Sequence, residues 1–294
     1  MTQLQELLLE AMVQFDTLCE QHRLTYYMLG GTMLGAYRHQ GFIPWDDDID
    51  LGMPRKDYER LLSLTADQLP SHYEIRHFSK EENIPYAFIH FENANTTYVE
   101  ARRSGTGYMG GVYLEIFPLD ETTETKAKAF YMERKVWFLK KILYVTLLSG
   151  QIQQEESLSP LHTHIYREYK STSLFKKYVV LWIGKHILTD DMVKKLDKAL
   201  QSQKGKQCYS NYLGHWGSKE TISKTIFLGK QKKKYRYMFE GKSFCGVACP
   251  KAYLTSLYGT DFMIPPKESE REKGKHPPKY VDFYTPYQQY ETKI

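Results

Sequence analysis

Residues 45–52, WDDDIDLG, set Asp46, Asp47, Asp48 and Asp50 between a tryptophan and a run of aliphatic residues. Charge alternates with Ile49 and Leu51 through Met53, the period of a strand, which turns Asp46, Asp48 and Asp50 to one face and Asp47 to the other. Carboxylates that close repel one another unless a proton or a cation intervenes. Oxygen donors with no histidine or cysteine beside them suit Mg²⁺ or Mn²⁺, and Mg²⁺ ordinarily completes its shell with water and substrate phosphate oxygens. The chemistry this pattern implies is phosphoryl transfer at a metal-carboxylate site. The plain alternatives are solvated surface aspartates or an aspartate turn capping the next helix. An EF-hand does not fit, because Gly52 follows Asp50 by two positions and Asp57, not glutamate, stands twelfth from Asp46.

Upstream, residues 26–29 read as a short buried strand, Gly30-Gly31 as a sharp turn, and residues 32–39 as a helix with Gly31 or Thr32 at its N-cap. Glycines let backbone approach a ligand closely, and a helix N-terminus turns free N–H groups toward phosphate. Gly30, Gly31 and Thr32 are therefore candidate substrate-binding residues. Arg38, in the same helix, carries the guanidinium fork that suits a diphosphate oxygen, with a plain surface arginine as the alternative.

The elements that must hold these residues follow from periodicity. An amphipathic helix is expected over residues 3–22, where Leu4, Leu7, Leu8, Ala11, Phe15 and Leu18 share a face, and another after Pro54. Strands are expected over 46–53, 73–78, 87–91, 97–100 and 112–117. Residues 126–148 and 174–188 read as helices with Lys140, Lys141, Lys176 and Lys177 beside apolar runs, and Thr189-Asp190-Asp191 caps a third reaching Gln201. Residues 150–160 and 267–278 read as loops. Strands return at 225–227 and 235–244, before a helix with Pro250 at N1 that stops at Gly259. The class is α+β, a mixed sheet flanked by helices with an additional helical layer.

The run LGGTMLGAYRHQGFIPWDDDIDLGMPR, residues 29–55, resembles the LicD and fukutin-related family within the nucleotidyltransferase fold. That fold's signature is a Gly-Gly or Gly-Ser helix opening followed by an Asp-hydrophobic-Asp pair on the next strand. The resemblance continues at YLEIFPLD, residues 113–120, and more loosely from FEGKSF through YLTSLYG to Pro265-Pro266; no motif covers residues 121–205. It implies a nucleotidyltransferase-like catalytic core over 1–120, a mainly helical insertion over 121–205, and a C-terminal part over 206–294 that completes the catalytic domain.

Resemblance and strand geometry together imply Asp48 and Asp50 as metal ligands, and Asp46 as a further ligand or as the base. Glu115 is the implied third carboxylate from a neighbouring strand, where relatives carry aspartate; Asp120 is the alternative. The family transfers phosphorylated alcohols to glycan hydroxyls. The resemblance thus implies Mg²⁺- or Mn²⁺-dependent transfer of phosphocholine from CDP-choline, or of another CDP-linked alcohol phosphate such as ribitol or glycerol phosphate, with release of CMP. The acceptor would be a teichoic acid or lipopolysaccharide precursor, lipid-linked in bacterial relatives. Addition of NMP to a small alcohol stays open. Choline is recognised by aromatic rings, and Tyr108, Tyr113, Tyr209, Tyr212 and Trp216 are candidates, with core packing the alternative for each. Trp45 is expected to pack beneath the metal strand.

Among 294 residues, 40 Lys and Arg against 35 Asp and Glu leave a net charge of +5, a mild excess compatible with a phosphate-bearing partner or an anionic membrane surface. Cys19, Cys208, Cys245 and Cys249 include no Cys-x-x-Cys pair, which argues against a disulfide framework or zinc cage. No apolar run approaches the roughly 18 to 20 residues of a membrane span. The expected location is cytoplasmic; the basic middle helices could rest on anionic headgroups at the inner membrane face, with a helical layer presenting a solvated basic face as the alternative. Lys232-Lys233-Lys234 could serve nucleic acid, but that leaves the aspartates unexplained, so nucleic acid is not an expected partner. His162 and His164 form an H-x-H with no further ligand in view.

Overall fold

The apolar stripe of the first residues becomes helix α1 (Gln3–Gln21) in the structure, a computed structural model. Described are residues 1–82, 84–100, 108–122, 126–153, 182–183, 187, 189–202, 208–210, 221–229, 234–271 and 278–290. Thr2 starts α1 with a capping box: its hydroxyl accepts from the Gln5 N–H, and the Gln5 side chain accepts from the Thr2 N–H. Leu8, Ala11, Phe15 and Leu18 are buried.

Among the described residues, seven strands form the main sheet: β1 (Tyr27–Met28), β2 (Asp50–Pro54), β3 (Tyr73–Arg76), β4 (Ile89–Asn93), β6 (Val112–Thr122), β7 (Cys208–Ser210) and β8 (Thr221–Ser223). The order runs β1-β2-β6-β4-β3, with β7 on the far end of β6 and β8 beyond it. Only β2 and β6 run parallel in this sheet, so it is mixed. Outside it, β5 (Thr97–Glu100) pairs with β11 (Pro278–Asp282), and β9 (Tyr235–Phe239) with β10 (Lys242–Gly246). Alternation divides the sheet into two faces. Leu51, Met53, Ile89, Phe91, Leu114 and Ile116 belong to the core shared with α1, where the Phe15 and Phe91 rings meet edge-on at 5.4 Å. Each such side chain contributes about 1.5–3 kcal/mol by leaving water. The opposite alternation carries Asp50, Glu115, His90 and Arg76.

Helices α2 (Gly30–Arg38) and α3 (Arg55–Leu62) flank β2. The additional layer is α4 (Lys126–Gln153) with α5 (Thr189–Gln201), packed through Val136 and Leu143 against Met192, Val193, Leu196 and Leu200. Arg55 ties this layer to the sheet: Nε and Nη2 donate to Asp120 on β6 at 2.8 and 2.7 Å, and Nη1 lies 3.0 Å from Asp197 on α5. Burial works against the guanidinium charge, but Asp120 and Asp197 outweigh it and raise its pKa. Helices α6 (Lys224–Leu228), α7 (Pro250–Tyr258, stopped by Gly259) and α8 (Glu268–Arg271) complete the chain's last part.

Several expectations are corrected. The helix at the glycines starts at Gly30 with Leu29 as N-cap, so no side chain caps it. The strand expected over 46–53 joins the sheet only at Asp50, because Asp46 is held in a turn by its N–H to Ile43 O at 2.9 Å and by its carbonyl, which accepts from Gln5 Nε2 at 3.0 Å. The strand expected over 225–227 is helix α6, which Ser223 caps through its hydroxyl. The expected 235–244 strand is a hairpin, broken where Glu240 and Gly241 both take positive φ of 49° and 72°, the turn geometry that matches strand twist. Gly150 lies inside α4 rather than in a loop, and Glu268–Arg271 is a helical turn. The helix expected over 174–188 lies mostly outside the described residues.

Replacing Arg55 by methionine leaves buried Asp120 and half-buried Asp197 without their shared cation. Urea unfolding should show a loss of about 3–5 kcal/mol; a loss below about 1 kcal/mol would mean the cluster is solvated. His77 gives a pH prediction. Its ring is 2% exposed, Nε2 has no hydrogen-bond partner among the described residues, and burial, with Arg55 and Lys80, pushes its pKa down to about 3. The unfolded imidazole protonates near 6.5 while the folded one stays neutral, so stability falls as pH drops through 6.5 and stops falling near 3. By pH 4.5 the loss from this residue is about 2–3 kcal/mol. His77→Gln should flatten the stability curve between pH 7 and 4.5 by that amount, and an unchanged slope would refute the assignment.

Candidate active site

The site begins where β1 ends. Antiparallel pairing sets Tyr27 opposite Gly52 and Met28 opposite Leu51, and the Leu29 N–H then donates to Asp50 O at 2.9 Å. The Asp50 N–H donates to Thr32 Oγ1 at 2.8 Å. Both peptide groups of Asp50 are thus fastened to the opening turn of α2. Thr32, expected to touch substrate with its backbone, also performs this anchoring with its buried hydroxyl.

Gly30 has φ of +45°, a conformation that disfavours side chains. A Cβ on Gly30 would stand 3.3 Å from Asp50 Oδ2, and one on Gly31 would stand 2.8 Å from Asp46 Oδ2. The two glycines therefore let Asp50 and Asp46 lie against the helix mouth. Asp48 is half-buried between them along the chain. The Gly30 N–H donates to the Tyr253 hydroxyl at 3.1 Å from α7. Gly31 and Thr32 are the next helical residues, whose N–H groups have no intrahelical acceptor. Their partial positive charge faces the carboxylates.

Glu115, the expected third carboxylate, stands beside Asp50 in the parallel β2–β6 register. Strand neighbours in that position share a face about 4.8 Å apart. Asp120, the alternative, is engaged with Arg55 instead. Arg38 donates through Nη1 to Phe262 O at 2.8 Å and through Nε to His39 Nε2 at 2.9 Å, which leaves Nη2. Burial lowers its pKa against the influence of Tyr258 and Asp46, so it belongs to the same electrostatic neighbourhood. Trp45 packs partly buried against the main core, with the Arg271 guanidinium 4.3 Å above its ring.

Among the described residues, no three histidine, cysteine or carboxylate side chains are gathered closely enough to hold a metal ion together. What exists is an open arrangement of oxygen donors, with Asp46 and Asp50 at the helix mouth and Glu115 beside Asp50. That donor set fits a hard divalent cation whose other positions are filled by water and phosphate oxygens, and it does not fit a softer metal.

Behind Glu115 lies a group that motif reading missed. His90 on β4 is the register partner of Glu115, and Arg76 on β3 is the partner of His90. His90 Nε2 is 3.8 Å from Glu115 Oε1, and Nδ1 is 3.0 Å from Glu92 Oε1. The Tyr108 hydroxyl donates to Glu92, and Arg76 Nη1 lies 3.5 Å from it. The signal was present in FIHFEN, where His90 and Glu92 alternate with buried Ile89 and Phe91. Of the aromatic candidates, Tyr113 stacks on His90 at 3.9 Å, Tyr108 meets it edge-on at 6.2 Å, and Tyr209 faces Lys224 at 4.9 Å. These contacts are core packing. Tyr212, Trp216, His162 and His164 lie outside the described residues.

Residues 23–147 match the family model described as LicD/FKTN/FKRP, nucleotidyltransferase domain. The chain is 26% identical over 266 residues to the lipopolysaccharide cholinephosphotransferase LicD of Haemophilus influenzae, covering 87% of this chain and 89% of that protein. It is 32% identical over 77 residues to the human ribitol 5-phosphate transferase FKRP, a stretch that is 26% of this chain and 16% of the human protein. Residues 23–147 thus match the nucleotidyltransferase domain of the LicD/FKTN/FKRP family, and the aspartates and glycines described above lie within that match.

Proposed function

We propose that this protein is a divalent-metal-dependent transferase that moves phosphocholine from CDP-choline to a glycan hydroxyl and releases CMP. The observation that carries this reading is the open group of Asp46, Asp50 and Glu115 at the mouth of α2, in a chain similar over most of its length to a protein named a lipopolysaccharide cholinephosphotransferase.

Asp48, Asp50 and Glu115, with Asp46, would hold Mg²⁺ or Mn²⁺, which when bound supplies charge neutralisation for the donor diphosphate. The Gly31 and Thr32 N–H groups direct a phosphate to the helix mouth, and Arg38 Nη2 adds one charged donor. A carboxylate, Asp46 or Glu115, accepts the acceptor hydroxyl's proton. The hydroxyl oxygen then forms its bond to the choline-bearing phosphorus as the bond to the CMP oxygen breaks. Positioning and electrostatics supply the rate, as expected for phosphoryl transfer.

CMP release from CDP-choline in the presence of an acceptor glycan and Mg²⁺ tests the reading, with CDP-ribitol and CDP-glycerol as comparators. Asp50→Asn and Asp48→Asn should each lower the rate at least about 100-fold, and full activity without metal, or in either variant, would sink the mechanism. A second reading, addition of NMP to an alcohol, is favoured by the nucleotidyltransferase description of the matched domain. It yields pyrophosphate where the first yields CMP.

Among the described residues no helix is long and apolar enough to cross a membrane. Helix α4 exposes Tyr131, Trp137 and Phe138 beside Arg134, Lys135 and Lys141. Aromatic and basic residues together support peripheral contact with the anionic membrane that would carry a lipid-linked acceptor. The protein should co-float with vesicles containing anionic lipid and not with neutral ones. Trp137→Glu with Phe138→Glu should abolish flotation; retention of binding would remove α4 as the contact.

A further inference from the structure

Asp50, Glu115, His90 and Arg76 occupy consecutive register positions across β2, β6, β4 and β3. This row joins two carboxylates, an imidazole and a guanidinium. His90 is fully buried, and its ring lies nearly parallel between Tyr86 at 3.8 Å and Tyr113 at 3.9 Å, so it cannot tilt without losing both stacks. Glu92, also fully buried, contacts Nδ1. Carboxylates only accept, so both contacts are attractive when each ring nitrogen carries a hydrogen: Nδ1 donates to Glu92, and Nε2 faces Glu115 at 3.8 Å in a charge contact longer than a hydrogen bond. Glu92 is fixed in turn by Arg76, by the Gly111 N–H at 3.2 Å and by the Tyr108 hydroxyl. Packing alone does not require a carboxylate at each ring nitrogen. Outer groups of this kind set the direction of a ligating side chain.

We propose that His90 is the positioning residue of Glu115. Held by Glu92 and by two tyrosine rings, its Nε2 sets the direction of the Glu115 carboxylate beside Asp50, so that both face one cation. The assignment rests on the divalent-metal reading of the site.

Mn²⁺ binding to the full chain, followed by electron paramagnetic resonance, tests it. Wild type should bind and Asp50→Asn should not; if wild type fails to bind, or Asp50→Asn binds as tightly, the metal reading falls and this assignment with it. Given that pair of results, His90→Asn keeps a donor toward Glu92 but none toward Glu115, and should weaken Mn²⁺ binding about 10–100-fold. His90→Gln, whose amide nitrogen reaches the Nε2 position, should recover most of that loss. Equal affinity in wild type and His90→Asn, or equal loss in both variants, overturns the role of His90 and leaves the metal site standing. One arm needs no variant to fold. In wild-type protein labelled with ¹⁵N-histidine, Mg²⁺ should shift the Nε2 resonance of a solvent-protected imidazole, and no such shift at saturation overturns the proposal.

Discussion

Asp50 and Glu115 stand side by side on adjacent parallel strands, and two carboxylates so placed oppose the pairing of their own strands. The rest of the architecture can be understood as what makes that juxtaposition tolerable. On one side, α2 brings its N-terminal N–H groups against Asp50 and Asp46 through two glycines. On the other, His90 and Arg76 continue the same row with an imidazole and a cation. The parallel contact itself depends on connectivity: the chain leaves β2 through α3, builds β3 and β4 as an antiparallel pair, and returns as β6 into the gap between β2 and β4.

The two faces of the sheet divide the work of stability and chemistry. Alternate residues of β2, β4 and β6 bury aliphatic and aromatic side chains with α1, and this apolar burial can carry the folding free energy without involving the polar face. The polar face can then hold charge at positions chosen for chemistry. Its costs are met locally by pairs such as Arg76 with Glu92 and His90 with Glu92. Breaking one member of such a pair is expensive because the other remains buried; Arg76 with Glu92 thus holds β3 to β4, and on the other side Arg55 holds β6 and the helical layer together.

Much of this was legible in the sequence where period and punctuation agree. The stripe of α1, the strand at residues 97–100, the helix over 189–201 and the stop at Gly259 need only local rules, and each appears in the structure. The choice of Glu115 as neighbour to Asp50 was legible through its motif, and the register supplied the contact. Errors arose where a tertiary contact overrode local pattern. Asp46 to Ile49 alternate like a strand, yet the turn at Ile43 and the bond from Gln5 hold Asp46 out of the ladder. Thr225 to Phe227 look extended, yet a serine cap and the burial of Phe227 make them helical. His90 was illegible for another reason: one histidine in an apolar strand is ordinarily core, and only the cross-strand register shows that it stands beside Glu115.

The charges along the polar face change character from one end of the row to the other. Arg76, Glu92 and His90 form a mutually engaged group at one end of the row, with Glu115 at its border. At the other end Asp46 and Asp50 lie against the mouth of α2, whose partial charge is roughly half an elementary charge, and Arg38 adds its influence on Asp46. Under the proposed function, a lysine or arginine set directly between these carboxylates would fill the place a phosphate would approach. On that same reading, an open group of acidic oxygens, with no three possible ligands gathered among the described residues, would leave further neutralising charge to arrive with the substrate. Under the proposed function such a site would become electrostatically complete only with cation and diphosphate both present, which would tie the assembly of the reactive geometry to occupancy by the donor.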